Sequence, residues 1–150
     1  VKTGFAQVTG LTGLMGRWQI IQRDPLIICD TGHNVGGWEY LSKQLDQTPC
    51  HALHIVIGMV NDKDIHGVLK LLPKKAIYYF TNASVERALP AEEFALQASE
   101  HGLKGTIHSS VALAIVAAKN AAEPNDCIFI GGSTFIVSDA LIALKLDIYN

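Results

Sequence analysis

Short apolar segments alternate with amphipathic segments along most of this chain. Residues 26–29 form a continuous apolar run typical of a buried strand, and residues 35–45 then repeat apolar side chains at helical spacing. The same succession recurs further along the chain. The predicted strands are 19–22, 26–29, 53–57, 76–80, 106–108 and 127–130, and the predicted helices begin near residues 35, 65, 90 and 111.

This alternation predicts a single α/β domain with a mostly parallel sheet and helices on both faces, joined by right-handed crossovers. Residues 19–22 are expected to add an antiparallel strand. The helix at 111–122 is apolar on nearly all sides, so we expect it to be buried. Residues 1–14 are rich in Gly and Thr and do not begin with Met, and they are interpreted as a leader or linker of a longer protein.

Composition agrees with a compact domain and argues against several function classes. Hydrophobic residues make up 49% of the chain and charged residues 17%, which argues against a disordered chain. The net charge of −2, without a long run of like charges, argues against nucleic-acid or membrane-surface binding. The three cysteines and six histidines lack metal-ligand spacing, so we expect no metal site in this chain and a reducing, cytoplasmic compartment.

The first candidate for chemistry is the polar segment Asp30, His33 and Asn34, between a predicted strand and a predicted helix. In open α/β sheets, ligands bind at the carboxyl ends of the strands. Free backbone N–H groups and the helix dipole favour an anion there. An aspartate at this place can hold a metal or a ribose, or orient the histidine. The same residues also suit a simple helix cap beside a solvated histidine.

A second candidate is Gly131-Gly132-Ser133, which follows another predicted strand. Two glycines allow close backbone approach, and the serine hydroxyl beside free N–H groups suits a carboxylate or phosphate. An ordinary glycine-rich turn with a serine cap explains the pattern equally well. Arg17 precedes the first strand, and its guanidinium suits a phosphate, although a surface arginine is the simpler interpretation.

The glycines at residues 10–16 match the phosphate-loop pattern only weakly, because no Gly-Lys-Ser/Thr sequence follows them and no predicted strand precedes them. The dinucleotide pattern G-x-G-x-x-G is also absent. The chain therefore lacks a self-contained nucleotide site of either common kind.

Several motifs, taken together, resemble one family. The chain has Gly-Arg-Trp-Gln at 16–19, Asp-Thr-Gly-His-Asn at 30–34, Gly-x-x-x-Asp-Lys-Asp at 58–64, Arg-Ala-Leu-Pro at 87–90 and Gly-Ser at 132–133. Their order and content resemble the C-terminal domain of folylpolyglutamate synthase and of bifunctional dihydrofolate synthase/folylpolyglutamate synthase, which belong with the Mur ligases. The family often has Ala and Pro where this chain has Gly32 and Val35, a difference that replaces no polar group.

The resemblance implies a Rossmann-like α/β fold of the Mur ligase C-terminal type over residues 15–150, without the family's N-terminal ATPase domain. It implies that the parent enzyme uses ATP and Mg²⁺ to convert a folate or dihydropteroate carboxylate into an acyl phosphate. The amine of L-glutamate then attacks this group, giving an amide and phosphate. The isolated domain is expected to be inactive.

The resemblance also implies roles for individual residues. Arg17 would reach the phosphates of ATP across an interdomain cleft, and Asp30 would contact the nucleotide side of that cleft. His33 would position glutamate or the reacting centre, which makes Asp30 and His33 the expected catalytic residues. Ser133 would hold a carboxylate of glutamate.

Two other function classes stay open on the sequence alone. A stand-alone α/β module that binds a small anion or a nucleotide would use the same two strand-end segments. A purely structural or interaction domain would show an exposed apolar face. The sequence does not distinguish folate from dihydropteroate as the substrate, because those contacts are expected on the absent domain.

Overall fold

The computed structural model describes residues 17–61 and 64–149, with the side chains of 146–149 excepted. The expected leader at 1–14 lies outside these residues, as do two residues of the 58–64 motif. The described strands are β1 Gln19–Arg23, β2 Leu26–Asp30, β3 Leu53–Ile57, β4 Ile77–Phe80, β5 Gly105–Ile107 and β6 Cys127–Gly131. The described helices are α1 Val35–Gln47, α2 Ile65–Leu69, α3 Ala91–Ser99, α4 Val111–Ala121 and α5 Thr134–Tyr149.

The strands form one six-stranded sheet in the order β1-β2-β6-β3-β4-β5. β1 is antiparallel to β2, and the other neighbouring pairs are parallel, as the strand–helix alternation predicts. β6, late in the sequence, lies between β2 and β3, so Gly131 pairs with both Asp30 and Ile57. The carboxyl ends of β2, β6 and β3 therefore meet at one edge of the sheet.

Helices cover both faces of the sheet, each over its own apolar cluster. On one face, Trp38 of α1 packs edge-to-face on Phe129 of β6 at a centroid distance of 5.5 Å. On the other face, α4 and α5 pack against each other and the sheet. The expectation that α4 is buried all round was wrong for one stripe. Leu113 and Val116 are each 53% exposed, because they point away from both α5 and the sheet.

Polar side chains cap the N-termini of α1, α2 and α4. Asn34 Oδ1 accepts the Gly37 N–H at 2.8 Å, and Ser110 Oγ accepts the Leu113 N–H at 3.1 Å. Asp64 Oδ1 likewise accepts the Gly67 N–H at 3.0 Å. Pro90 is the N-cap residue of α3, so this helix begins within one residue of the predicted start. No helix in the described part of the chain is long and apolar enough to cross a membrane.

A buried polar network joins three strands at the amino edge of the sheet. Burial, and then the charge of Asp126, raise the pKa of Tyr79, so its hydroxyl keeps its proton. That hydroxyl donates to His54 Nδ1 at 2.8 Å, and His54 Nε2 then donates to Asp126 Oδ2 at 2.9 Å. The Glu123 N–H also donates to this carboxylate at 3.0 Å. The hydrogen bond from Glu123, followed by that from His54, lowers the pKa of Asp126.

The depressed pKa of Asp126 predicts an acid-sensitive fold. A carboxyl group with a lower pKa in the folded state stabilises the protein above its unfolded pKa, and this stability is lost as the pH falls through the folded pKa. Asp126→Asn is expected to lower the free energy of unfolding by about 2 kcal/mol at pH 7 and to flatten its decline below about pH 4. Urea unfolding between pH 2 and 8 measures both effects. Asp46→Asn, at an exposed position on α1, is the control; an unchanged acid decline in Asp126→Asn would contradict the assignment.

Candidate functional site

A cavity of about 450 Å³ opens at the carboxyl end of β2. Its walls are the segment 17–18, the loop 31–34 and one face of α1. Three of the four predicted site residues, Arg17, Asp30 and His33, line this cavity. The strand-end segment and the arginine that precedes β1 therefore form one concave surface.

A larger cavity, of about 650 Å³, lies at the opposite edge between α1 and the segment 70–76. Four lysines line it: Lys43, Lys70, Lys74 and Lys75. The carboxyl ends of α1 and α2 point there, and the partial negative charge of these helix ends attracts lysines without any ligand. Lys74 Nζ lies 3.5 Å from the Leu69 carbonyl at the end of α2, which fits this role. The smaller cavity is therefore the better candidate for chemistry.

Asp30 fixes the backbone of this smaller cavity. The residue is only 7% exposed. Oδ2 accepts the N–H of Trp18 at 2.7 Å, and Oδ1 accepts the N–H of Gly32 at 2.8 Å. One side chain thus ties the residue before β1 to the loop after β2, so that the segments carrying Arg17 and His33 are held together.

The backbone at Trp18 is strained. Its φ of 47° lies in the left-handed region, which is unfavourable for a bulky L-residue. The hydrogen bond to Asp30 and the packing of the Trp18 ring on Phe129, 6.4 Å between centroids, hold this conformation. Arg17 directly precedes it, and its exposed guanidinium pairs with none of the residues that the structure describes.

His33 lines the cavity, and one of its ring nitrogens has no hydrogen-bond partner among the described residues. Its Nδ1 lies 3.1 Å from the Thr31 carbonyl oxygen, which can only accept, so Nδ1 carries the proton. In the neutral ring, Nε2 is then an acceptor, and no described residue contacts it within hydrogen-bond distance. Nearby, the N–H groups of Val35 and Gly36 at the start of α1 have no acceptor among the described residues.

Ser133 lies at the same sheet edge but outside the lining of this cavity. The residue is 3% exposed, and its Oγ accepts the N–H of Ile136 at 3.1 Å, which caps α5. The hydroxyl proton is still available for donation.

Gly132 has a φ of 104°, and a Cβ there would lie 2.2 Å from the Gly58 oxygen, so only glycine fits this turn.

The motifs at 58–64 and 87–90 are also brought together at this edge. The Asn61 N–H donates to the Arg87 oxygen at 2.8 Å, and the Leu89 N–H donates to the Met59 oxygen at 2.8 Å. These two hydrogen bonds form a short antiparallel bridge beyond the ends of β3 and β4.

Sequence reasoning missed two residues of the cavity, Tyr40 and Gln44. Both lie on α1, one and two turns beyond Gly37, which lines the cavity as well. The signal was their helical spacing from that glycine, since residues three and four apart share a helix face.

The chemistry of the cavity suits a nucleotide better than a metal ion. Arg17 and the free N–H groups of α1 suit the oxygens of a polyphosphate. Within residues 17–61 and 64–149, no three His, Cys, Asp or Glu side chains lie close enough to hold a metal ion together. A metal ion at this cavity would therefore need ligands from outside these residues.

Comparison with known proteins identifies the family. The profile of the family described as Mur ligase, glutamate ligase domain, matches residues 16–134. The chain belongs to this family. All four predicted site residues fall within the matched region, and both the resemblance stated from the motifs and the expected fold class are confirmed.

Relatives of this Mur ligase domain are folate enzymes. The chain is 35% identical over 129 residues to dihydrofolate synthase/folylpolyglutamate synthase of Escherichia coli (strain K12), covering 85% of this chain and 30% of that protein. It is 28% identical over 128 residues to a probable bifunctional folylpolyglutamate synthase/dihydropteroate synthase of Haloferax volcanii, covering 83% of this chain and 15% of that protein. The chain spans a third or less of the length of these relatives.

Solved structures similar to this chain belong to the same class of folate enzymes. Escherichia coli FolC in complex with ADP superimposes with a TM-score of 0.81 at 31% identity, over 90% of this chain and 32% of that chain. A bifunctional folylpolyglutamate synthase/dihydrofolate synthase with Mn, AMPPNP and L-glutamate bound gives 0.78 at 30% identity, over 87% and 32%. The fold of this chain is therefore that of the C-terminal domain of amide-forming ligases.

Proposed function

We propose that this chain is the glutamate-binding domain of an ATP-dependent ligase that joins L-glutamate to folate or dihydropteroate. The observation that carries the proposal is the single cavity shared by Arg17, Asp30 and His33, in the motifs that resemble the family. The solved relative with AMPPNP and L-glutamate bound supports it.

In this proposal, the parent protein carries an ATPase domain outside this chain and works in the cytoplasm. The short span of the chain on its relatives supports this arrangement. Relatives were solved with ADP, or with AMPPNP and Mn. Mg²⁺ would be held mainly by the other domain, since the described residues contain no cluster of three metal-binding side chains.

The residues of this chain would position the reactants. Bound ATP supplies the phosphoryl group that turns the substrate carboxylate into an acyl phosphate. Arg17 binds phosphate oxygens, and Nε2 of His33 accepts a hydrogen bond from the amine of glutamate and orients it towards the acyl carbon. The C–N bond forms, the bond from the acyl carbon to the phosphate oxygen breaks, and the proton that the amine loses passes to Nε2 of His33. The second domain, closing over the cavity, excludes water that would hydrolyse the acyl phosphate.

The parent enzyme tests the proposal through Ser133. ADP release should depend on L-glutamate, and Ser133→Ala should raise the KM for L-glutamate by about 10-fold, because a hydrogen bond to a charged group is lost. The KM for ATP should stay unchanged. Ser110→Ala removes the same kind of helix cap from α4 and serves as the matched control. An unchanged KM for glutamate in Ser133→Ala would remove this serine from the site.

The second candidate, a stand-alone module that binds nucleotides, has one observation in its favour: Arg17 and the start of α1 offer donors without described partners. Calorimetry on the isolated chain separates the two. The ligase proposal expects no turnover and weak ATP binding, because it assigns most nucleotide contacts to the ATPase domain outside this chain. Tight binding of ATP by this chain alone would favour the module.

A further inference from the structure

The carboxyl edge of the sheet carries few basic side chains. Among the described lysines and arginines, only Arg17 and Arg87 lie there, in the segments before β1 and after β4. The others line the larger cavity at the opposite edge or belong to segments that end towards it: Arg23, Lys43, Lys70, Lys74, Lys75, Lys104, Lys119 and Lys145. Because Arg17 is assigned to phosphate, Arg87 is the described cation that this edge offers to a second anion.

The segment 82–90, which carries Arg87, is held on both sides. Oδ2 of Asp139, on α5, accepts the N–H of Ser84 at 2.9 Å, and the Ser84 hydroxyl donates to the same oxygen at 3.1 Å. On the other side, the Asn61 N–H donates to the Arg87 carbonyl oxygen at 2.8 Å. The backbone of Arg87 is thus fixed while the residue is exposed. An arginine with a fixed backbone loses less conformational freedom when it binds an anion.

This segment lies two strands away from Ser133. β6, β3 and β4 are neighbours in that order, and the segments that follow them contact one another in turn. The Gly58 N–H donates to the Gly131 oxygen at 3.3 Å, and residues 59–61 form the bridge with 87–89. Since neighbouring strands lie about 4.8 Å apart, the segments after β6 and β4 are separated by about 10 Å. A glutamate bound at Ser133 and a long arginine side chain together span this distance.

The order of these segments matches the order of the polar groups in L-glutamate. Across the edge lie His33 after β2, Ser133 after β6 and Arg87 after β4. In glutamate, the amine and the α-carboxylate share one carbon, and the second carboxylate lies at the far end of the side chain. An amine at His33 and an α-carboxylate at Ser133 therefore direct the side-chain carboxylate towards Arg87.

We infer that Arg87 binds the side-chain carboxylate of the amino-acid substrate and thereby selects L-glutamate over neutral amino acids of the same shape. A guanidinium group can donate two parallel hydrogen bonds to one carboxylate, which favours the charged group strongly over an amide. This inference rests on the proposed function and adds to it, because the proposed mechanism gives Arg87 no role and leaves the second carboxylate of glutamate without a partner.

Steady-state kinetics of the full-length parent enzyme test this role. Arg87→Ala should lower kcat/KM for L-glutamate by about 10- to 100-fold, mainly through KM, because hydrogen bonds between charged groups are lost. Arg87→Lys keeps the charge but not the paired donors, and should give an intermediate value. The KM for ATP should not change. Arg23→Ala removes an exposed arginine from the opposite edge and is the matched control.

L-Glutamine separates substrate recognition from a structural effect of the substitution. It has the shape of glutamate but an uncharged amide, so it gains much less from a guanidinium. As a competitor of L-glutamate, it should inhibit the wild type and Arg87→Ala at similar concentrations. The preference for glutamate over glutamine should then narrow by about 10- to 100-fold, the same factor as the loss in kcat/KM.

The possible results distinguish the role of Arg87 from the proposed function. Glutamate-dependent ADP release with an unchanged KM for glutamate in Arg87→Ala would overturn this role and leave the ligase intact. Equal weakening of glutamate and glutamine would also overturn it, since the substitution would then have disturbed the whole site. Absence of glutamate-dependent ADP release in the wild type would overturn the proposed function itself.

Discussion

Replacing His33 by alanine in the full-length ligase is expected to lower kcat/KM by about 10²-fold or more, the scale of losing a positioned catalytic group. The reason is the geometry of the ring. The Thr31 carbonyl holds Nδ1–H at 3.1 Å, which fixes the tautomer and leaves Nε2 as the acceptor for the incoming amine. Without this acceptor the amine loses its orientation relative to the acyl carbon.

The measurement is glutamate-dependent ADP release under saturating ATP. Because His33 is proposed to act on glutamate, the loss should appear in kcat and in the KM for glutamate, and not in the KM for ATP. His51→Ala, at an exposed position on the opposite sheet edge, is the matched control and should keep wild-type rates. Wild-type turnover in His33→Ala would show that the ring takes no part in the reaction.

Much of the fold follows from local pattern. The apolar run at 26–29 becomes β2, and the helical spacing from residue 35 becomes α1, because both segments bury the side chains that the pattern marks as apolar. The position of β6 between β2 and β3 does not follow, since the neighbours of a strand depend on packing between distant segments. The exposed stripe at Leu113 and Val116 was missed for the same reason: composition marks an apolar helix but not its outward face.

The candidate site, like the fold, could be predicted from the sequence only in part. The strand-end rule places Asp30 and His33 beside the cavity, because parallel strands end together. The tie between Asp30 and Trp18 could not be predicted, because it spans 12 residues and needs a left-handed backbone at a tryptophan. Tyr40 was missed because its helical spacing from Gly37 becomes informative only once Gly37 is known to line the cavity.

The second large effect is expected for Asp30→Asn, because this substitution disrupts the hydrogen bonds from Trp18 and Gly32 to the Asp30 carboxylate. An asparagine amide offers one oxygen, so its NH₂ group faces one of the two backbone N–H groups that the carboxylate now accepts. One charge-assisted hydrogen bond is lost and the other is weakened, which should lower the free energy of unfolding of this domain by about 3 kcal/mol. Urea unfolding of the chain measures this loss, with Asp46→Asn as the exposed control.

In the full-length enzyme, Asp30→Asn is also expected to lower kcat/KM by about 10²-fold, because it releases both segments that carry functional side chains. The strain at Trp18 persists only while its surroundings hold it, and the hydrogen bond to Asp30 is one of two described contacts that do so. When Trp18 relaxes, the backbone at Arg17 turns with it, and the guanidinium leaves the cavity wall.

A double-mutant cycle with Arg17→Ala distinguishes this positioning role from direct contact between Asp30 and the nucleotide. If Asp30 acts by holding Arg17 in place, removing the arginine from Asp30→Asn should cost little more, and the two losses in kcat/KM for ATP should fall well short of additive. If Asp30 instead binds the nucleotide independently, each substitution removes its own contact, and the losses should multiply. The hydrogen bonds of 2.7 and 2.8 Å from Trp18 and Gly32 engage both carboxylate oxygens, and Asp30 is only 7% exposed, so we expect the non-additive result.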